Sequence, residues 1–180
     1  MADIILTVLD KLFFAIIVGI IANGLFFLAL SRLKPKIAIS PIIASGKSTI
    51  DGRKIFRIKV INRTKSPVIQ IRANLYLMRP SQTHDGEILK SRAIRLNSPD
   101  PMVFDGFLKS DVAANYAYRF VANDDIEQIW SDDTIQFLRF KITCLHAISG
   151  FGGYFVQDYR IKRTAIKAGD FTKGNSFDII

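Results

Sequence analysis

The sequence predicts a mainly β fold, an immunoglobulin-like β-sandwich with one short helix, behind a single N-terminal transmembrane helix. Three observations carry this. An uncharged apolar run fills Leu12–Leu30, period-two alternation of apolar and polar residues begins after Pro35, and turn-forming clusters divide that alternation into short strands. The predicted organisation is an anchor helix over 1–31, a basic juxtamembrane linker over 32–36, and a β-sandwich domain over 37–180. The 150 residues that follow the apolar helix suit one domain of ordinary size, with core enough to stand without staples.

The run LFFAIIVGIIANGLFFLAL has nineteen residues. At helical rise it spans about 28 Å, close to the thickness of a bilayer's hydrocarbon layer. Upstream, ADIILTVLDK is apolar but holds Asp3, Asp10 and Lys11, which suits the interface or a continuation of the helix beyond the bilayer. A cleaved signal peptide would require a basic start, a shorter apolar core and a small-x-small cleavage site. The chain instead begins MAD and leaves the run through FFLALSR, so an uncleaved anchor is expected.

Charge predicts the orientation. The net charge is +9, and it is concentrated: residues 31–95 hold fifteen bases against three acids, whereas 96–180 hold nine bases and eleven acids. Arg32, Lys34, Lys36 and Lys47 follow the helix before any acid, which places the N-terminus outside and the C-terminal domain in the cytoplasm. Bases beside a bilayer are drawn to anionic lipid headgroups, so Arg32, Lys34 and Lys36 are the predicted lipid-binding residues. Their alternative role is topology and anchoring alone. Proximity to the membrane accounts for the excess charge, so no nucleic-acid partner is expected.

Within the helix, Ala15, Gly19 and Asn23 recur every four residues, in line with Lys11, and share one face. Small residues let two helix backbones approach, and a buried Asn can bond across the contact, so this face is the candidate for self-association into a homo-oligomer. The alternative is that Ala and Gly are simply common in membrane helices. A pore lined by the same face is a further reading.

In the soluble part, Phe56–Val60 alternates apolar and basic residues, and Asn62–Pro67 reads as a turn. The run Val68–Met78 then places Ile69, Ile71, Ala73, Leu75 and Leu77 on one face. These two runs are expected to pair as an antiparallel hairpin with one solvated face. Further strands are expected at Ile37–Ile43, Glu87–Leu96, Tyr116–Val121, Ile135–Leu145, Tyr154–Ile166 and Ser176–Ile179. A helix is expected over Asp125–Trp130, with Asp124 and Glu127 spaced as a capping box.

Catalytic constellations are hard to find, and no enzyme activity, cofactor or metal is predicted. Cys144, the only cysteine, falls on the apolar face of its strand, and Cys144-x-His146 supplies too few ligands for a metal site. Ser149–Gly153 and Gly46-Lys47-Ser48 each lack half of a phosphate-binding loop and read as turns. Asp124, Asp125, Glu127, Asp132 and Asp133 surround the short helix, where capping accounts for them and a divalent-cation site is the alternative.

The order of these features resembles a known family. An apolar helix runs into Ser31-Arg32-Leu33-Lys34-Pro35-Lys36-Ile37, then into RIKVINRTKSPVIQIRANLYLMR and the turn Thr83–Glu87. Asn123–Glu127, Ser149-Gly150 and Asp158–Ile166 follow in order. This is similar to the passage from the inner helix of inward-rectifier potassium channels into their cytoplasmic immunoglobulin-like domain. The chain lacks their first pore helix and filter sequence, so filter-based selectivity is not implied. The resemblance implies a sandwich that oligomerises and a basic junction at Arg32, Lys34 and Lys36 that meets phospholipid. The function expected is a membrane-tethered, non-enzymatic binding or regulatory module, taking an unidentified protein or small-molecule ligand. The alternative is an oligomeric pore or membrane-disrupting effector with the β domain as sensor.

Overall fold

The computed structural model describes the backbone of residues 2–49, 52–84, 86–131 and 135–180, and side chains from Leu9 onward except Asp10. The protein is mainly β, with one long apolar helix at its N-terminus. That helix, α1, runs without a break from Ala2 to Ser31, so the residues before Lys11 continue it.

Two sheets follow. In the first, the strand expected over Ile37–Ile43 is broken at Ser40-Pro41 into β1 (Ile37–Ile39) and β2 (Ile43–Lys47). A proline cannot donate to a ladder, and here the break lets one edge of β3 (Lys54–Asn62) serve both pieces. The other edge of β3 pairs with β7 (Ala117–Ala122), and β10 (Ile166–Ala168) lies parallel to β2. In the second sheet, β4 (Val68–Thr83) is central between β8 (Phe137–His146) and the pair β5 (Gly86–Ile94) and β6 (Val103–Phe104). Strand β9 (Gly152–Tyr159) closes the far edge against β8.

Strands β3 and β4 therefore do not form the expected hairpin; they belong to different sheets. The reason lies in the turn. Asn62 is buried and its Nδ2 donates to the Ser66 and Asp105 carbonyls, while the Arg63 amide donates to the Lys36 carbonyl. These bonds carry the chain across from one sheet to the other. The strand expected at Tyr154–Ile166 ends at Tyr159, and helix α3 (Lys162–Ala165) intervenes before β10. Near Ser176–Ile179 only the bridge between Phe171 and Ile179 forms.

One buried cluster draws on both sheets: Phe56, Ile58 and Val60 from β3, Phe120 from β7, Ile71, Ala73 and Leu75 from β4, and Phe140 and Ile142 from β8. The Phe120 and Phe140 rings meet at 5.4 Å, and the Tyr159 hydroxyl donates to the Ser40 carbonyl at 2.8 Å. The apolar face of β4 follows the expected alternation from Ile71 to Leu77. Before it, Gln70 sits at φ +51° and the register against β8 shifts between Ile69 and Arg72. This bulge reverses the parity, so Val68 is buried and Ile69 is half-buried.

The opposite face of β3 is covered too. Ile61 joins Ala114 and Tyr116 in a second small cluster with Phe107 and Phe177, and Lys59 is buried at 1% exposure. The solvated face expected for β3 is absent because residues 107–117 and the C-terminal segment pack over it.

The short helix α2 (Ile126–Ile129) is capped by Asp125, whose carboxylate accepts from the Glu127 and Gln128 amides. The expected capping box fails: Asp124 accepts from the Arg95 amide instead, and Glu127 reaches Lys54 at 2.5 Å.

Candidate functional site

Helix α1 is apolar on every side, and no side chain is buried among those described from Lys11 to Ser31. Phe13, Phe14, Ile20, Leu25 and Phe26 are all more than 60% exposed. A helix apolar all round belongs in an apolar surrounding, and Lys11–Ser31 is long and apolar enough to cross a membrane. Ala15, Gly19 and Asn23 lie along one face of it, and the space where a Gly19 side chain would go is empty. Among the described residues that face has no partner.

At the helix end the structure builds a junction from three segments. The linker is the first. Its Leu33 carbonyl accepts from Ser149 Oγ at 2.5 Å, its Lys36 amide donates to Thr64 Oγ1 at 2.8 Å, and Pro35 is buried. The second is the turn between β3 and β4, and the third the turn between β8 and β9. The Ala147 amide donates to the Pro67 carbonyl and joins these two. The basic linker is thus bonded to the β domain at Leu33 and at Lys36.

The side chains of Arg32, Lys34 and Lys36 remain exposed, and none bonds to another described residue. The fold adds Lys65, which is also exposed and sits next to Thr64 on the turn bonded to the linker. Sequence spacing does not bring Lys65 to Lys36; the crossing between sheets does. Arg63, beside it, is occupied: it donates to the Asn175 carbonyl at 2.8 Å and lies over the Phe107 ring.

His146 is fully buried under this junction. Its Nδ1 accepts from the Ser149 amide at 3.2 Å and lies 3.1 Å from Ser149 Oγ, which leaves the other nitrogen, Nε2, without a partner among the described residues. Cys144, two residues earlier, faces the core, and burial pushes its thiol up to about 11, so it packs as an inert apolar residue. Among the described residues no three His, Cys, Asp or Glu side chains gather as metal ligands. Asp132 and Asp133 of the expected acid cluster lie outside the described residues. Gly46 and Lys47 prove to be strand residues of β2.

Elsewhere, a shallow groove of about 990 Å³ runs beside the β4 bulge, lined by Gln70, Arg72, Asp100, Met102, Leu145 and Tyr154. No protein-family model matches the chain, and no curated protein matches it.

Proposed function

We infer that the chain is a single-pass, membrane-tethered, non-enzymatic binding or regulatory module. Helix α1 crosses the bilayer with its N-terminus outside, and Arg32, Lys34 and Lys36 meet anionic headgroups on the cytoplasmic side. Behind them the two sheets form an immunoglobulin-like sandwich of the kind found in the cytoplasmic domain of inward-rectifier potassium channels, and it takes a protein or small-molecule ligand. The observation that carries this reading is the joint between an exposed apolar helix and three exposed bases, unpaired among the described residues, that follow it within six residues. Lys65 extends the same cationic surface.

The test uses the full-length chain reconstituted with a trace of spin-labelled phosphatidylglycerol or phosphatidylcholine. The anionic lipid should be enriched around the protein. Replacing Arg32, Lys34 and Lys36 together by Gln should remove most of that preference, since each well-placed base contributes about 1 kcal/mol. Equal affinity for both lipids in the native chain would reject lipid contact by these residues.

A second reading has one specific observation in its favour: Asn23, a polar residue, lies exposed in the middle of an apolar helix. In an oligomer it would face either a neighbouring helix or a water-filled path. Conductance across a planar bilayer separates the two, and a silent bilayer favours the tether.

A further inference from the structure

The turn between β8 and β9 lies along the end of helix α1. A Cβ added to Gly153 would come 3.3 Å from the Pro35 ring. Ser149 Oγ donates to the Leu33 carbonyl, and the Phe151 ring meets Phe27 edge-on at 5.8 Å. Each contact reaches further up the helix than the one before. Phe27 precedes Arg32 by five residues, so at helical rise it stands about 7 Å further along the axis. It belongs to the apolar run Leu12–Leu30. If that run is in lipid, a ring touching Phe27 lies below the headgroups that Arg32 reaches.

The turn is built for that depth in two independent ways. From Ile142 to Gln157 there is no Asp, Glu, Lys or Arg, the longest uncharged stretch outside the helix. At the tip, Ile148 is 68% exposed and Phe151 half-buried. From His146 to Phe151, every amide but that of Ile148 is also bonded within the protein. The amides of His146, Ala147 and Gly150 donate to the carbonyls of Phe151, Pro67 and His146, at 2.9, 3.1 and 2.9 Å. The Ser149 amide donates to His146 Nδ1 at 3.2 Å, and the Phe151 amide to Ser149 Oγ at 3.3 Å. Exposed turns ordinarily leave such groups to water. Near the hydrocarbon such groups are best partnered within the protein, and five of these six amides are. The buried His146 imidazole supplies one of those partners.

The geometry points to a second membrane contact: the β8–β9 turn inserts Ile148 and Phe151 into the headgroup–acyl boundary beside the helix, and its partner is the bilayer itself. Interfacial elements bury apolar groups about 5–10 Å deep, which matches the level of Phe27. Two points of attachment fix the orientation of the β domain against the membrane; a helix alone would leave it free to swing. This inference rests on the reading that α1 crosses lipid.

The experiment attaches an environment-sensitive NBD fluorophore to full-length chain in liposomes of mixed phosphatidylcholine and phosphatidylglycerol, at Ile148→Cys, Ile20→Cys or His84→Cys. The buried Cys144 of the native chain provides the labelling blank. Ile20 reports the helix, and His84 the exposed tip of the β4–β5 hairpin. The probe at 148 should emit to the blue of the probe at 84. It should also be quenched several-fold more by brominated acyl chains than by aqueous iodide. If 148 behaves like 84 while 20 reports lipid, the insertion is wrong and the tether stands. A probe at 148 shielded from both quenchers places the turn against protein and overturns the inference equally. If the probe at 20 is also quenched by iodide alone, the tether fails and this inference falls with it.

Discussion

Lys59 Nζ lies 2.7 Å from the carbonyl oxygen of Thr172, across more than a hundred residues of chain. The same ammonium donates to the Ser176 carbonyl at 2.8 Å, and Arg119 donates to Phe171 and Arg63 to Asn175. Three cations on one side of the first sheet thus hold the C-terminal segment through its backbone oxygens. Carbonyls satisfy the ammonium's hydrogen bonds but carry no full charge to offset its desolvation. Burial accordingly lowers the Lys59 pKa to about 8, with Arg119 and Arg63 adding to the shift and Asp178 and Asp170 opposing it.

The pH dependence follows from that shift. The unfolded chain holds this proton up to about 10.5 and the folded chain only to about 8. Between those values the unfolded state binds more protons, so stability rises with pH. Below pH 8 the ammonium is charged in both states and its full cost is present. Urea unfolding in detergent should show the native chain gaining on the order of 1–3 kcal/mol relative to Lys59→Met between pH 7 and 10. A difference between the two that stays level with pH would show that Lys59 is solvated.

Arg139 and Asp158 act in the opposite pH range. They face each other in register across β8 and β9, and both guanidinium bonds to the carboxylate are 2.7 Å. The Arg139 hydrogen bonds hold the Asp158 carboxyl below its ordinary value, against the opposing effect of burial. A depressed carboxyl stabilises the fold above its unfolded value near 4, and that contribution disappears as pH falls further. The pair is partly exposed, which screens it. Asp158→Asn should therefore cost about 1–2 kcal/mol at neutral pH. The deficit in thermal melts should shrink as pH falls below 4; a deficit that does not shrink with falling pH would assign the loss to packing.

What the sequence discloses depends on how local the controlling interaction is. The helix is legible because Leu12–Leu30 is uncharged throughout, and Ile71 to Leu77 because alternation is a property of neighbours. The bulge at Gln70 is invisible, since nothing about a glutamine announces φ +51°. The expected pairing of β3 with β4 fails for a similar reason. Asn62–Pro67 has the composition of a hairpin turn, and only the Asn62 bond to Asp105, forty-three residues away, sends the chain to the other sheet. Lys59 looked like a surface base because its alternation matched that of Arg57, and the segment that buries it lies at the far end of the chain. The same distance concealed Lys65 as a neighbour of Lys36. Arg32, Lys34 and Lys36 could be nominated because adjacency to the helix is itself local.

The crossing between sheets has a tight spot. At Gly106 an added Cβ would run into the Lys65 carbonyl, and backbone on both sides leaves little room to shift. Gly106→Ala should destabilise the protein by about 2 kcal/mol, the usual range for overpacking. Because Lys65 would move with its carbonyl, the variant should also weaken anionic-lipid preference while leaving Arg32, Lys34 and Lys36 untouched. Chemical denaturation and the spin-labelled lipid assay measure the two effects. Unchanged stability would mean that residues 105–107 can move away from the turn.

The proposed self-association would draw on the helix. Ala15, Gly19 and Asn23 present a flat strip with one amide, and nothing among the described residues covers it. Two such strips could meet closely enough for the Asn23 amides to bond across the contact, an interaction worth about 0.6–2 kcal/mol in membranes. Leucine at 19 would hold the backbones apart, and leucine at 23 would remove the bond without lowering apolarity. Gly19→Leu with Asn23→Leu should therefore weaken association by roughly threefold to thirtyfold. In sedimentation equilibrium in detergent the average mass should fall toward that of one chain, while the spectrum of the β domain stays the same. An oligomer of unchanged mass would move the interface from the helix to the β domain, where the β4–β5 hairpin, exposed along nearly the whole of β5, is the surface to test next.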